Sequence, residues 1–216
     1  MSAIKPIIRE LKDAALKGAS SAKDKLHRLA DNLDEHFDTV IREVRDQDKF
    51  DGKPNKIDVS LKKFKKNRNH DSAEYNRQYN EQMDTLQSTS VSDWLKNRIE
   101  YLDNGRTSDS LRAQQNARDV ALKDKITELR RGGESREDAA AHAAEWLRGQ
   151  AATHRLDGIA GGNVTDISGV GDTRINSSLG SQWRSRVGDI DRAVIDFINK
   201  NPGVDLDSTF INIVLR

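Results

Sequence analysis

The feature that constrains this fold most is a change of period. Between about residues 71 and 147 apolar side chains recur every three or four positions, the spacing of helices with one buried face. After Gly149 that recurrence stops, and residues 157–180 hold six glycines among many Asp, Asn, Ser and Thr. Such a chain packs helices together up to the break and must then cross an irregular stretch before it closes. A long glycine-rich stretch inside a domain more often serves a site than packing.

Read segment by segment, the periodicity predicts helices over residues 71–87, 91–103 and 108–131, the second capped by Ser90 or Ser92 with Trp94, Leu95, Ile99 and Leu102 inward. Gly132 and Gly133 stop the third. A fourth opens at Ser135, with Asp138 three residues on in a capping arrangement, and runs through Ala141, Ala144, Trp146 and Leu147. Helix resumes near Gln182, with Trp183, Val187, Ile190, Val194, Phe197 and Ile198 on one face, until Asn201, Pro202 and Gly203 end it. Residues 208–215 are rich in β-formers and read as a closing strand, while Ile57, Val59 and Leu61 alternate as a strand does. The turn cluster at residues 51–55 marks a domain boundary. Ahead of it, residues 1–50 carry two amphipathic stripes, an amino-terminal helical hairpin. The expected fold is mainly α with a small β element (α+β), its main domain over residues 57–216 and its glycine-rich segment forming one wall of the site.

Composition excludes some functions and leaves others to local patches. No apolar run reaches the roughly 20 residues that span a bilayer, and charges interrupt the amino terminus, so neither a membrane-spanning segment nor a secretory signal peptide is expected. Without cysteine there is no disulfide framework or thiolate metal site. Thirty-six Lys and Arg nearly balance 35 Asp and Glu, so nucleic-acid binding has to rest on a patch. The best is residues 62–68, where Lys62, Lys63, Lys65 and Lys66 are candidate backbone contacts, with Arg77, Arg98 and Arg174 as weaker ones.

His154 and Asp157 are three apart, so a helix continuing through them would put both on one face, able to converge on one metal ion or water. Imidazole can take a proton from an attacking water near neutral pH, and a carboxylate can hold a divalent cation against a phosphate. The spacing alone recurs by chance; its setting carries more. Gly158, Gly161 and Gly162 follow at once and let backbone approach an anionic ligand or bend around a metal, and Asn163, Asp166, Asp172 and Arg174 gather on the same stretch. His70 reads as part of a polar loop, His142 as a helix-face residue, and His27 and His36 belong to the first helices. Trp94, Trp146 and Trp183 sit at core positions rather than base-stacking ones.

The run from His154 through Gly162 (HRLDGIAGG), continuing to Gly171, Asp172 and the stretch NSSLGSQW over residues 176–183, resembles the type 15 polymorphic toxin family, which includes HxxD DNase effectors of the type VI secretion system. An earlier stretch, with Glu74 to Gln78, Gln82, Asp93 to Arg98, and Gly105 with Arg106, is similar to that family's helical lead-in. The resemblance spans about residues 57–216. It implies His154 and Asp157 as the catalytic pair, DNA as substrate, a divalent metal such as Mg²⁺, and a cognate immunity protein. It also implies synthesis in a bacterial cytoplasm, export without a signal peptide and action in the cytoplasm of a competing cell. On this reading Asp157, with Asp166 or Asp172, holds the metal, and His154 is general base or ligand. Asn176, like the basic run and Arg174, is a candidate substrate contact, and residues 1–50 a candidate adaptor- or chaperone-binding segment. Two alternatives remain: an RNase toxin using the same constellation, and a non-catalytic helical adaptor.

Overall fold

In a computed structural model the described residues are 55–216; the two helices expected in residues 1–50 lie outside them. Strand β1, Asn55–Leu61, buries Ile57, Val59 and Leu61 and exposes the residues between, as a one-sided strand must. It pairs in parallel with β4, Thr209–Leu215, from Asn55 opposite Thr209 to Leu61 opposite Leu215. Parallel partners need a crossover, and here it is the whole chain between them.

Four helices follow β1, each with a side-chain cap. Asp71 caps α1, Ser72–Ser88; Ser90 caps α2, Val91–Asn104; Thr107 caps α3, Ser108–Arg131; and Ser135 caps α4, Arg136–Arg148. The caps satisfy amide donors that the first helical turn leaves open. At Ser135 the arrangement includes the expected residue, with the Asp138 N–H donating to Ser135 Oγ at 3.1 Å. Along α4 the buried residues are Ala139 and Ala143, whereas Ala141 and Ala144 are exposed. A run of alanines has no polar contrast from which a face can be read.

The glycine-rich stretch is more ordered than its composition predicts. Gly149 ends α4, and Arg118 of α3 donates to the carbonyls of Leu147 and Gln150 as the chain changes direction. Strand β2, Gln150–His154, then forms an antiparallel hairpin with β3, Ile167–Asp172, across a 3-10 turn at Gly158–Ala160. Helix α5, Thr173–Arg184, starts directly from β3, so helix resumes nine residues earlier than its expected start near Gln182. Its apolar stripe is only Ile175, Leu179 and Trp183, one residue per turn among serines, Asn176 and Gly180, too thin to stand out. Helix α6, Val187–Lys200, follows and ends at Asn201.

The main core gathers β1 and β4 with α1, α2, α6 and the 3-10 turn; Trp94 and Trp183 lie inside it. Both indoles find partners, Trp94 Nε1 donating to the Ala160 carbonyl at 2.8 Å and Trp183 Nε1 to Gln82 Oε1 at 2.6 Å. Arg98 is buried and forks onto Asp191 of α6 at 2.9 and 3.0 Å. It therefore ties α2 to α6 and is not a phosphate contact. Helix α3 packs on the β2–β3 hairpin and on α4. The architecture is mainly α with two small two-stranded sheets, the expected class. No helix among the described residues is long and apolar enough to cross a membrane.

Candidate active site

His154 and Asp157 do not share a helix. With α4 ended at Gly149, His154 becomes the last residue of β2 and Asp157 the cap of the 3-10 turn. A bulge sits at the strand end: Thr153 faces Gly169 while His154 faces Ile167, leaving Ser168 unpaired. Bulges re-aim side chains. Ser168 is held there by its hydroxyl, which donates to Glu81 Oε2 at 3.0 Å and lies 3.1 Å from Thr153 Oγ1.

The His154 ring is half-buried, with Nε2 3.1 Å from the Val164 carbonyl. A carbonyl can only accept, so Nε2 carries the proton and the Nδ1 lone pair is left for chemistry. Burial pushes the imidazole below its ordinary pKa, the Asp157 carboxylate and the Val164 carbonyl pull it back up, the Arg106 cation pushes it down again, and the Asp166 carboxylate raises it a little. The net shift is downward, so the ring is neutral at neutral pH. In metal-free protein, NMR titration of His154 should therefore give a pKa below 6.5 with the Nε2–H tautomer, and Asp157→Asn should lower it further. Because the unfolded chain then binds the proton more readily, this residue's contribution to stability is complete above pH 6.5 and is lost as pH falls through that value toward the folded pKa. A titration at or above 6.5 would contradict the packing described.

Asp157 is bound on one side only. Its Oδ1 accepts the Ile159 N–H at 3.0 Å, and its backbone carbonyl accepts those of Ala160 at 2.8 Å and Gly162 at 3.2 Å. Its Oδ2 faces Gly180 of α5, where an added Cβ would lie 2.8 Å away. Gly180→Ala is thus expected to change stability by no more than about 1 kcal/mol, since alanine's preference for a helix interior is offset by strain on the Asp157 cap when the carboxylate moves. The same change should cut activity by about tenfold or more, because the carboxylate must move. Thermal melts beside rate measurements check this, and a parental rate would show that the Asp157 position is not critical.

The glycines of the turn play a different part from the one expected. Gly158, Gly161 and Gly162 are buried. A Cβ on them would strike the Tyr101 ring at 2.7 Å, the Trp94 indole at 2.3 Å and the Leu156 carbonyl at 1.9 Å, respectively, and Gly161 also has φ +90°. Protein rather than ligand occupies the space beside them, so they let the turn that carries Asp157 pack onto α2.

Neither carboxylate expected as a second metal ligand stands free beside Asp157, although Asp166 is near enough to His154 for its charge to be felt there. Asp166 pairs with Arg155 at 3.2 Å, and Arg155 also reaches Glu81 at 3.4 Å. Asp172 caps α5 and binds Arg174 at 3.1 Å, facing Gln150 at the far end of the hairpin from His154. Four strand steps of about 3.3 Å separate the two ends, too far for a shared ion. Among the described residues no group of three or more His, Asp or Glu converges as a metal site. What remains is His154 Nδ1 and Asp157 Oδ2. Of the two, the Asp157 oxygen suits Mg²⁺, a hard ion that takes one or two protein carboxylates and otherwise water and substrate phosphate, which leaves the His154 nitrogen free to take a proton.

Asn176 lies one turn before Gly180, on the face of α5 toward Asp157. Lys62, Lys65 and Lys66 instead line a cleft of about 520 Å³ with Ser178, Ser181, Gln182, Ser185 and Arg186. Gly180 is two residues from both Ser178 and Gln182, so this cleft and Asp157 lie on opposite sides of α5. The basic run, Lys63 included, is not part of the His154 site. Arg77 is taken up by Glu74 at 2.7 Å, and His142 by Glu134 at 2.8 Å. Residues the sequence reading did not single out are Gly180, Tyr101 and Arg106; Gly180 and Arg106 lay within the stretches that carried the resemblance.

Comparison with known families returns a model described as Novel toxin 15, matching residues 69–208. The match takes in α1 to α6, the hairpin, His154 and Asp157, and leaves out β1, β4 and the lysines of the basic run. No curated protein matches the chain.

Proposed function

The chain belongs to the Novel toxin 15 family of polymorphic toxins, and from that premise we propose that it is a metal-assisted DNase whose reacting groups are His154 and Asp157. The observation that carries this reading is the imidazole held by its Nε2–H on the Val164 carbonyl, with Nδ1 unbonded and a carboxylate near. His154 Nδ1 takes the proton of the attacking water. The Val164 carbonyl keeps the ring in place as it becomes cationic, and the Asp157 charge favours the cation as it forms. Asp157 Oδ2 is the carboxylate oxygen that would hold Mg²⁺, with His154 close by. When bound, the ion supplies positive charge against the phosphate oxygens. Arg106, whose charge is felt at His154, adds to that field.

The proposal extends to the partners of such a toxin. A cognate immunity protein covers the face that carries His154 and Asp157, and the chain leaves the producing cell by a type VI-like route to act in a target cytoplasm. Residues 1–50 serve an adaptor or chaperone in that route.

Full-length protein, folded and free of any inhibitor, should nick supercoiled plasmid with Mg²⁺ and stop with EDTA. Plasmid intact under both conditions would remove the DNase reading. Cleaved tRNA beside intact plasmid would select an RNase instead.

A further inference from the structure

We infer that the basic cleft on the far side of α5 is a second phosphate-binding surface, gripping the backbone of duplex DNA away from the bond that is cut. The inference builds on the nuclease reading but has its own observations.

The first is how the lysines are held. Residues 62–66 leave β1 without regular structure, yet their backbone is bonded at almost every step. The side chain of Gln182 pairs with both backbone groups of Lys65, accepting its N–H at 2.7 Å and donating to its carbonyl at 3.0 Å. Arg186 donates to the carbonyls of Lys62 and Lys63, each at 2.8 Å. Its guanidinium also lies 4.3 Å from the centre of the Phe64 ring, which in turn packs edge-on against Trp183. The segment is pinned by main chain and by Phe64, leaving the lysine side chains exposed.

The second is charge. Several exposed arginines elsewhere on the surface have a nearby acid: Arg77 has Glu74, Arg148 has Glu145, Arg174 has Asp172 and Arg192 has Asp189. The cleft has none. Its lining holds three lysines, Arg186, amides and serine hydroxyls, with no carboxylate. Arg186 is itself buried and satisfied by carbonyls and a hydroxyl, so its positive charge stands uncancelled at the floor. In a chain of net charge +1 this is a local surplus.

Lysine, serine and asparagine are the usual partners of phosphate oxygens. A protein-binding patch would instead show aromatic residues and few lysines at its centre. The lysines also precede the family match, which begins at residue 69.

The test uses the full chain carrying His154→Ala, so that DNA survives, and a short fluorescein-labelled duplex. Adding Lys62→Gln, Lys65→Gln and Lys66→Gln should weaken binding by about tenfold or more near 0.1 M salt. It should also make the plot of log affinity against log salt shallower by about 2 to 3, as loss of three phosphate contacts requires. Lys66 donates to the His70 carbonyl at 3.1 Å. The Lys62→Gln/Lys65→Gln pair, whose side chains make no bond within the described fold, therefore separates binding from folding, with a slope change of about 2. In the His154-intact chain the triple change should raise KM for plasmid and leave kcat within about twofold, since no reacting group is touched.

Unchanged affinity and salt slope in the triple variant would overturn the inference. So would retained DNA affinity with lost binding of polyglutamate, which would assign the cleft to an acidic polypeptide. If the His154-intact chain binds duplex through these lysines but cuts neither plasmid nor RNA, the nuclease reading fails and the cleft stands.

Discussion

Replacing His154 with alanine is expected to slow plasmid nicking by about 10²- to 10⁴-fold, the usual worth of a positioned general base. The fold should survive. The ring is only half-buried, and its loss leaves one Val164 carbonyl without its partner, at about 1–3 kcal/mol. Asp157 needs a gentler change because it does two jobs. Alanine there would remove both the Oδ2 that faces Gly180 and the Oδ1 that caps the 3-10 turn. Asparagine keeps an acceptor for the Ile159 N–H and removes the charge, so Asp157→Asn should lose activity with the turn intact. Nicking rates beside circular dichroism spectra decide the matter. A His154→Ala protein that nicks at the parental rate would take this residue out of the chemistry.

Gly162→Ala is expected to destabilise the protein by at least about 3 kcal/mol, more than activity assays alone would reveal. The new Cβ would lie 1.9 Å from the Leu156 carbonyl oxygen, a main-chain atom that cannot rotate aside. Leu156 is buried in the core, and the Gly162 N–H closes the turn onto the Asp157 carbonyl. Relieving the clash therefore moves the residue that carries the carboxylate. For a protein of this size the change corresponds to roughly 6–12 °C in Tm. A shift below about 2 °C would mean that the turn accommodates a side chain, contrary to the packing described.

How much of this was legible in the sequence depended on contrast. Helices α1 to α3, α6 and strands β1 and β4 announce themselves because apolar and polar residues alternate at a clear period and Ser90, Gly132 and Asn201 punctuate them, whereas α4, whose alanines show no face, is marked by its Ser135 cap. Helix α5 does not announce itself, since Ile175, Leu179 and Trp183 are its whole stripe. The hairpin was hidden for a related reason: Gly149 ends α4 just before His154, and a five-residue strand of Gln, Ala, Ala, Thr and His has little β signature. The pair His154 and Asp157 could be picked out, but the single helical face imagined for it could not survive that glycine. The carboxylates Asp166 and Asp172 looked available because their arginine partners, Arg155 and Arg174, act through geometry that spacing does not display. The glycines were recognisable as special, yet their reason, close approach of Tyr101, Trp94 and Leu156, is tertiary. Which side of α5 faces the lysines and which faces Asp157 is tertiary too.

The parallel pairing of β1 with β4 has a consequence for how the toxin is made. Asn55 waits for Thr209, about 150 residues later, before its strand has a neighbour. At about 5–20 residues per second a ribosome needs on the order of 10 s or more to supply it. The same core holds Leu156, Ala160 and Trp94, which seat the turn bearing Asp157. Late in that interval the nascent chain already carries His154 and Asp157 but not the strand that completes the core beneath them, so the turn bearing Asp157 is seated only after β4 has been made.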